Sequence, residues 1–135
     1  SGLKNLDKVE EFGLNLGLIF QIKDDLFDYT NRRIGKPTAI DIKNQKITLP
    51  LIYTLNKVNF SDKKFIINSY KKKSKLKRNK DKIYEIINDN GGFKYAFDKM
   101  TSLKEKNLLI INNFPENSSR ESLKLMLDYL INRKN

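Results

Sequence analysis

The residues best suited to do chemistry are three carboxylates and a glutamine in Phe20-Gln21-Ile22-Lys23-Asp24-Asp25-Leu26-Phe27-Asp28. They lie inside a largely apolar run from Phe12 to Tyr29. On a helix, successive side chains are about 100° apart. Gln21, Asp24, Asp25 and Asp28 then stand at i, i+3, i+4 and i+7, on one face. Gly13 and Gly17 continue that face one and two turns earlier and leave room for a neighbouring substrate or a close helix. Phe12, Leu16, Ile19, Leu26 and Phe27 lie opposite, and Lys23 points away from the acids. The pattern predicts a mostly buried helix with an acidic stripe. Clustered carboxylates on such a face repel one another and resist ionisation, and a divalent cation relieves both problems. Hard oxygen ligands beside a phosphate suit Mg²⁺, which keeps several waters and takes one or two carboxylates. The plainer alternative is a solvated acidic face on a surface helix.

The residues that follow favour the metal. Lys36 sits between Gly35 and Pro37, which fix a tight turn, and Asp41 and Lys46 come soon after. A lysine ammonium is a good point-charge partner for phosphate. Two lysines beside a carboxylate-bound magnesium can clamp a diphosphate from two sides. Taken singly, each lysine in so lysine-rich a chain reads as surface charge; their position relative to the acidic helix gives them the phosphate role.

Helices must position these groups. Asp7, with Glu10 three residues on, can cap a first helix running to about Tyr29. Residues 30–45 form a loop. Thr48 can cap a second helix, with Pro50 in its first turn, reaching about Val58. Ser61 can cap a third carrying Phe65, Ile66 and Tyr70. Lys71 to Lys80 holds seven basic residues in ten and reads as a solvated helix end and linker, because no aromatic residues interleave for base stacking. Asp81 to Asn88 is a fourth helix, stopped by Asn90-Gly91-Gly92. Phe93 to Phe114 is a fifth, with Phe93, Phe97, Met100, Leu103 and Leu108 near helical spacing, ended by Pro115. Ser118-Ser119-Arg120-Glu121 is a capping box for a last helix striped with Leu123, Leu127, Leu130 and Ile131. No stretch alternates as a strand does, so the fold class is all-α, a helical bundle in one piece.

Composition sets further bounds. A chain of 135 residues with 39% apolar content suits one domain. The net charge of +11 would suit a polyanion, although lysine alongside abundant Asn and Ile also reflects an AT-rich genome. Without cysteine or histidine there is no disulfide framework, no thiolate metal site and no imidazole base. No apolar run is long enough to span a membrane and no signal-peptide pattern opens the chain; cytoplasm is the expectation.

Phe20-Gln21 … Asp24-Asp25-x-x-Asp28, then Gly35-Lys36 … Asp41-Ile42, then Lys46-x-Thr48-Leu49-Pro50 resembles the second aspartate-rich region of the trans-type isoprenyl (polyprenyl) diphosphate synthases in order and spacing. Gly91-Gly92, the helix ending before Pro115 and the leucine-rich last helix with Arg133 resemble the C-terminal end of bacterial longer-chain members, such as octaprenyl diphosphate synthase. The resemblance covers essentially the whole chain. It implies an all-α bundle of the isoprenyl diphosphate synthase type, dimeric when full-length, and a Mg²⁺-dependent prenyltransferase that joins an allylic diphosphate to isopentenyl diphosphate. It implies that Asp24 ligates Mg²⁺ directly, with Asp25 and Asp28 in support, and that Gln21, Lys36 and Lys46 contact the allylic diphosphate. Asp41 would order the metal's outer shell. Asp24, Lys36 and Lys46 would thus carry the catalysis.

The family has two aspartate-rich motifs facing each other, whereas no other D-D-x-x-D occurs here. The chain is therefore expected to be a C-terminal fragment lacking an N-terminal half, inactive alone, with exposed apolar faces that favour self-association. Three alternatives differ in class: a terpene cyclase-like magnesium-diphosphate enzyme, a non-catalytic partner subunit of a heteromeric prenyl synthase, and a basic nucleic-acid-binding helical protein. The Gly-Lys … Lys-x-Thr-Leu-Pro continuation argues against the first, the intact acids and lysines against the second. No nucleic-acid partner is expected.

Overall fold

The structure, a computed structural model, describes residues 2–30, 45–114 and 118–132. Among them are six helices and no strand: α1 (Gly2–Thr30), α2 (Leu49–Leu55), α3 (Phe60–Tyr70), α4 (Lys73–Asp89), α5 (Gly92–Asn112) and α6 (Ser118–Asn132). The all-α class read from the sequence is observed. The chain divides into two compact units: Ser1–Lys23 with Asp98–Asn135, and Asp24–Phe97. No helix of the described residues is long and apolar enough to cross a membrane.

In the first unit, α1 buries Phe12, Asn15, Ile19 and Ile22, spaced three and four apart as one stripe of a helix requires. α5 contributes Met100, Leu103, Asn107, Ile110 and Ile111, and α6 contributes Leu127. Two of these are polar and satisfy each other: Asn15 Nδ2 donates to Asn107 Oδ1 at 2.9 Å, and Asn107 Nδ2 donates to the Phe12 carbonyl at 3.2 Å. A buried amide without partners is costly, so this pair fixes the register of α1 on α5 within the unit.

α1 departs from its sequence reading in three ways. It starts at Gly2, so Asp7 is an exposed residue inside the helix, not its cap; Leu3 to Leu6 contain nothing that breaks a helix. It is only half buried, since Leu14 is 71% and Leu18 47% exposed. Leu16 is half-buried. Gly13 and Gly17 are exposed and an added Cβ on either meets nothing within 4 Å, so no helix of the described residues sits close against them.

The second unit is built on Leu51, Ile66, Leu76, Ile83, Ile86 and Ile87. Thr48 caps α2 as its sequence position predicts, accepting from Leu51 N at 3.4 Å, and Pro50 is buried in the first turn. α2 ends at Leu55, short of Val58. Asn59 caps α3 in place of Ser61: its Oδ1 accepts from Asp62 N at 2.8 Å, leaving Ser61 helical. The basic stretch is not a linker. Only Lys71 and Lys72 separate α3 from α4, and the rest is helix. Lysine and arginine are good helix formers, and fully buried Leu76, in register with Ile83 and Ile87, anchors the basic half of α4 to the core. Asn79 Nδ2 also donates to Ser69 Oγ of α3 at 2.9 Å.

Gly91 ends α4 with φ +78°, as the Asn-Gly-Gly signal predicts. Gly92 then starts α5 so close to α2 that an added Cβ would lie 2.6 Å from Thr54 Oγ1 and 2.8 Å from the Pro50 carbonyl oxygen. Tyr53 and Tyr95 stack beside this crossing with centroids 4.2 Å apart. Phe97, read from the sequence as core, is 56% exposed; Ala96 is the buried residue on that turn. In α6 Leu123 is half-buried. Pro115, Arg133 and the side chains of Ser118, Ser119, Leu130 and Ile131 lie outside the described residues.

Candidate functional site

The C-terminal turns of α1 carry the acids. Asp24 and Asp25 are consecutive, so their side chains diverge by about 100° around the helix. Asp25 turns inward beside Leu26 and is 3% exposed, whereas Asp24 is partly exposed and Gln21, one turn earlier, is exposed. The acidic residues thus do not form one evenly exposed stripe. Asp28 lies in α1 with its side chain outside the described residues, and Lys36 and Asp41 fall in the 31–44 stretch that is also outside them. Among the described residues no group of three carboxylates comes together as a metal cluster.

Lys46 reaches the same place from the segment before α2. Its Nζ lies 3.4 Å from Asp25 Oδ1, and its side chain keeps 44% exposure while that of Asp25 keeps 4%. A buried carboxylate demands a partner, and the ammonium provides one while the Lys46 side chain stays partly exposed. The ammonium that meets Asp25 here comes from 21 residues further along the chain. The arrangement therefore presents a partly exposed carboxylate, Asp24, next in sequence to a buried carboxylate that forms an ion pair with the half-exposed side chain of Lys46. Such a set can bind a divalent cation through Asp24 and a phosphate through Lys46.

Gln45 was not singled out by the sequence. It has φ +61°, the sole non-glycine in the left-handed region among the described residues, and its Nε2 donates to the Tyr70 carbonyl at 2.7 Å. Glutamine gives no sequence signal for such a conformation, which is dominated by Gly and Asn. Next to Lys46, Ile47 borders an apolar cavity of about 220 Å³ lined by Leu51, Leu55, Ile66, Ile67 and Tyr70.

The polyprenyl synthetase family model matches residues 1–87, which include α1, Lys46 and the α2–α4 core. The chain belongs to the polyprenyl synthetase family. Relatives agree along nearly its full length. It is 28% identical over 131 residues to a geranylgeranyl diphosphate synthase of Saccharolobus solfataricus, covering 94% of this chain and 39% of the relative. It is 32% identical over 133 residues to the chloroplastic solanesyl diphosphate synthase 2 of Arabidopsis thaliana, covering 96% of this chain and 30% of the relative. A polyprenyl synthase of Caulobacter crescentus, solved with calcium and isoprenyl diphosphate, superimposes with a TM-score of 0.71 at 26% identity, covering 96% of this chain and 40% of that one. This member of the polyprenyl synthetase family thus spans well under half the length of these relatives. Their names specify different products, and the family membership carries no product length with it.

Proposed function

We propose that this chain is the C-terminal portion of a trans-type prenyl diphosphate synthase and carries half of its metal and diphosphate site. The observation that supports this most directly is Lys46, held on buried Asp25 one residue from the partly exposed Asp24, inside the stretch that the family model matches. The Caulobacter relative holds a divalent cation together with an isoprenyl diphosphate, the two kinds of ligand that Asp24 and Lys46 suit.

The donor set fits magnesium. Asp24 offers an accessible hard oxygen, Asp28 follows one turn later, and this ion needs only one or two carboxylates beside its waters. Asp25 fits a different task, since its carboxylate is buried and already occupied by Lys46. Asp41 belongs to the outer shell and Lys36 to the diphosphate. When bound, magnesium supplies Lewis-acid stabilisation to the leaving diphosphate.

In the full-length enzyme, Lys36 and Lys46 hold the diphosphate of the allylic substrate, and Gln21 donates to it from its side-chain amide. As the allylic carbon–oxygen bond breaks, negative charge builds on the diphosphate and the fixed ammonium of Lys46 meets it without reorganisation. The double bond of isopentenyl diphosphate attacks the allylic cation, and a proton is lost to leave a new double bond. The chain has one aspartate-rich motif, so on this proposal it binds diphosphate but does not condense substrates alone; a homodimer is the proposed full-length assembly.

Calorimetric titration of inorganic diphosphate into the chain, with and without Mg²⁺, tests this. Binding that requires Mg²⁺ and weakens at least tenfold in Asp24→Asn is the expected result. Equal binding with and without the ion removes the metal half of the proposal, and no binding removes both halves.

A further inference from the structure

We propose that Gln45 is a positioning residue for Lys46. Its side-chain amide anchors the segment 45–48 to the end of α3 and so sets the ammonium on Asp25. The importance of Lys46 rests on the diphosphate reading above; the anchoring itself does not.

Three observations converge on Gln45. Its backbone adopts φ +61°, where a Cβ crowds the adjacent carbonyl, so something must hold it there. Its Nε2–H donates to the Tyr70 carbonyl at 2.7 Å across 25 residues of sequence. That carbonyl belongs to the last turn of α3, where main-chain oxygens accept from groups outside the helix. The bond therefore joins the segment to the end of α3.

Packing restrains the segment unevenly: Ile47 is 67% exposed at the border of the apolar cavity, whereas Thr48 is 1% exposed. Polar contacts hold both ends. Thr48 is locked at the far end by capping α2 through Leu51 N. Gln45 locks the near end through Tyr70. Lys46 lies between them, and the left-handed turn at Gln45 directs its chain toward Asp25 at 3.4 Å. Strain retained next to a charged group that binds ligand is the arrangement in which a backbone outlier serves a purpose.

The test separates side chain from backbone. Gln45→Met keeps the length and removes the donor. Gln45→Gly also removes the donor but relaxes the left-handed turn, and it keeps the test available if Gln45→Met folds poorly. The first readout is the acetylation rate of Lys46 by peptide mass spectrometry, with the other lysines as internal controls. Both variants are expected to raise the Lys46 rate severalfold, because an ammonium released from Asp25 is more accessible, and to leave the exposed lysines of α4 unchanged. The second readout is Mg²⁺-diphosphate affinity by calorimetry, expected to fall about fivefold, the size of one hydrogen bond. An unchanged Lys46 rate in both variants overturns the anchor, whatever the wild-type chain binds. A raised rate in a chain that binds no diphosphate upholds the anchor and overturns the diphosphate reading instead.

Discussion

Asp24 and Asp25 are neighbours in sequence, yet one turns toward solvent and the other is 3% exposed against Lys46. The same substitution should therefore have different consequences at the two positions. Asp24→Asn removes an accessible ligand and is expected to abolish the magnesium dependence of diphosphate binding while leaving thermal stability within about 0.5 kcal/mol, as surface changes do. Asp25→Asn leaves the exposed ligand intact but takes the charge from the Lys46 pair. It is expected to lower stability by about 1 to 2 kcal/mol, since one partner of the pair stays half in water, and to weaken diphosphate binding without removing its need for magnesium. Urea unfolding beside calorimetry distinguishes them; equal stability losses would refute the division of labour. Residue types and spacing single out Asp24, Asp25 and Lys46 in the sequence, and the structure brings Lys46 to Asp25. Spacing could not tell which acid faces inward, because i, i+3 and i+4 positions share a broad face whose edge is set by what packs on it. Gln45 left no trace, since its φ depends on a bond to a carbonyl 25 residues away.

Helix ends show the same dependence on distant contacts. Thr48 and Gly91 were readable because their signals are local: a hydroxyl before a proline-containing first turn, and an Asn-Gly pair at a helix end. The basic block was misread as a linker because charge density dominates its composition, whereas the single buried Leu76 determines that it is helical. Gly92 carries the clearest consequence at this scale. Its backbone lies where α5 crosses α2, and a Cβ there meets Ile87 Cγ2 at 2.7 Å and the Pro50 oxygen at 2.8 Å, one a packed side chain and one a main-chain atom. Gly92→Ala is expected to cost about 2 to 3 kcal/mol by overpacking, even though alanine is the better helix former. Gly91→Ala, with open space around it but φ +78°, is expected to cost about 1 kcal/mol, from backbone strain alone. Denaturant midpoints that rank these two the other way would contradict the close approach of the helices.

Charge acts on the whole molecule. The chain carries 27 cations against 16 anions, and α4 begins with Lys72 as an N-cap that makes no side-chain bond and with no acid in its first turn. Lysines at the positive end of a helix dipole are each unfavourable by about 0.3 to 1 kcal/mol at low salt, and the net charge adds self-repulsion. Opposing these is the attraction between half-exposed Lys46 and buried Asp25, worth on the order of 1 kcal/mol. Salt shortens the Debye length from about 10 Å at 0.1 M to about 3 Å at 1 M, and it weakens both effects. The repulsions are more numerous and more exposed, so their loss outweighs the loss of the pair. Raising NaCl from about 0.1 to about 1 M is therefore expected to increase Tm while it weakens diphosphate binding, which depends on attraction to the same cations. Scanning calorimetry and titration on one salt series measure both. A Tm that falls with salt would mean that attractive pairs, Lys46 with Asp25 foremost, contribute more to the folded state than the excess lysine charge takes from it.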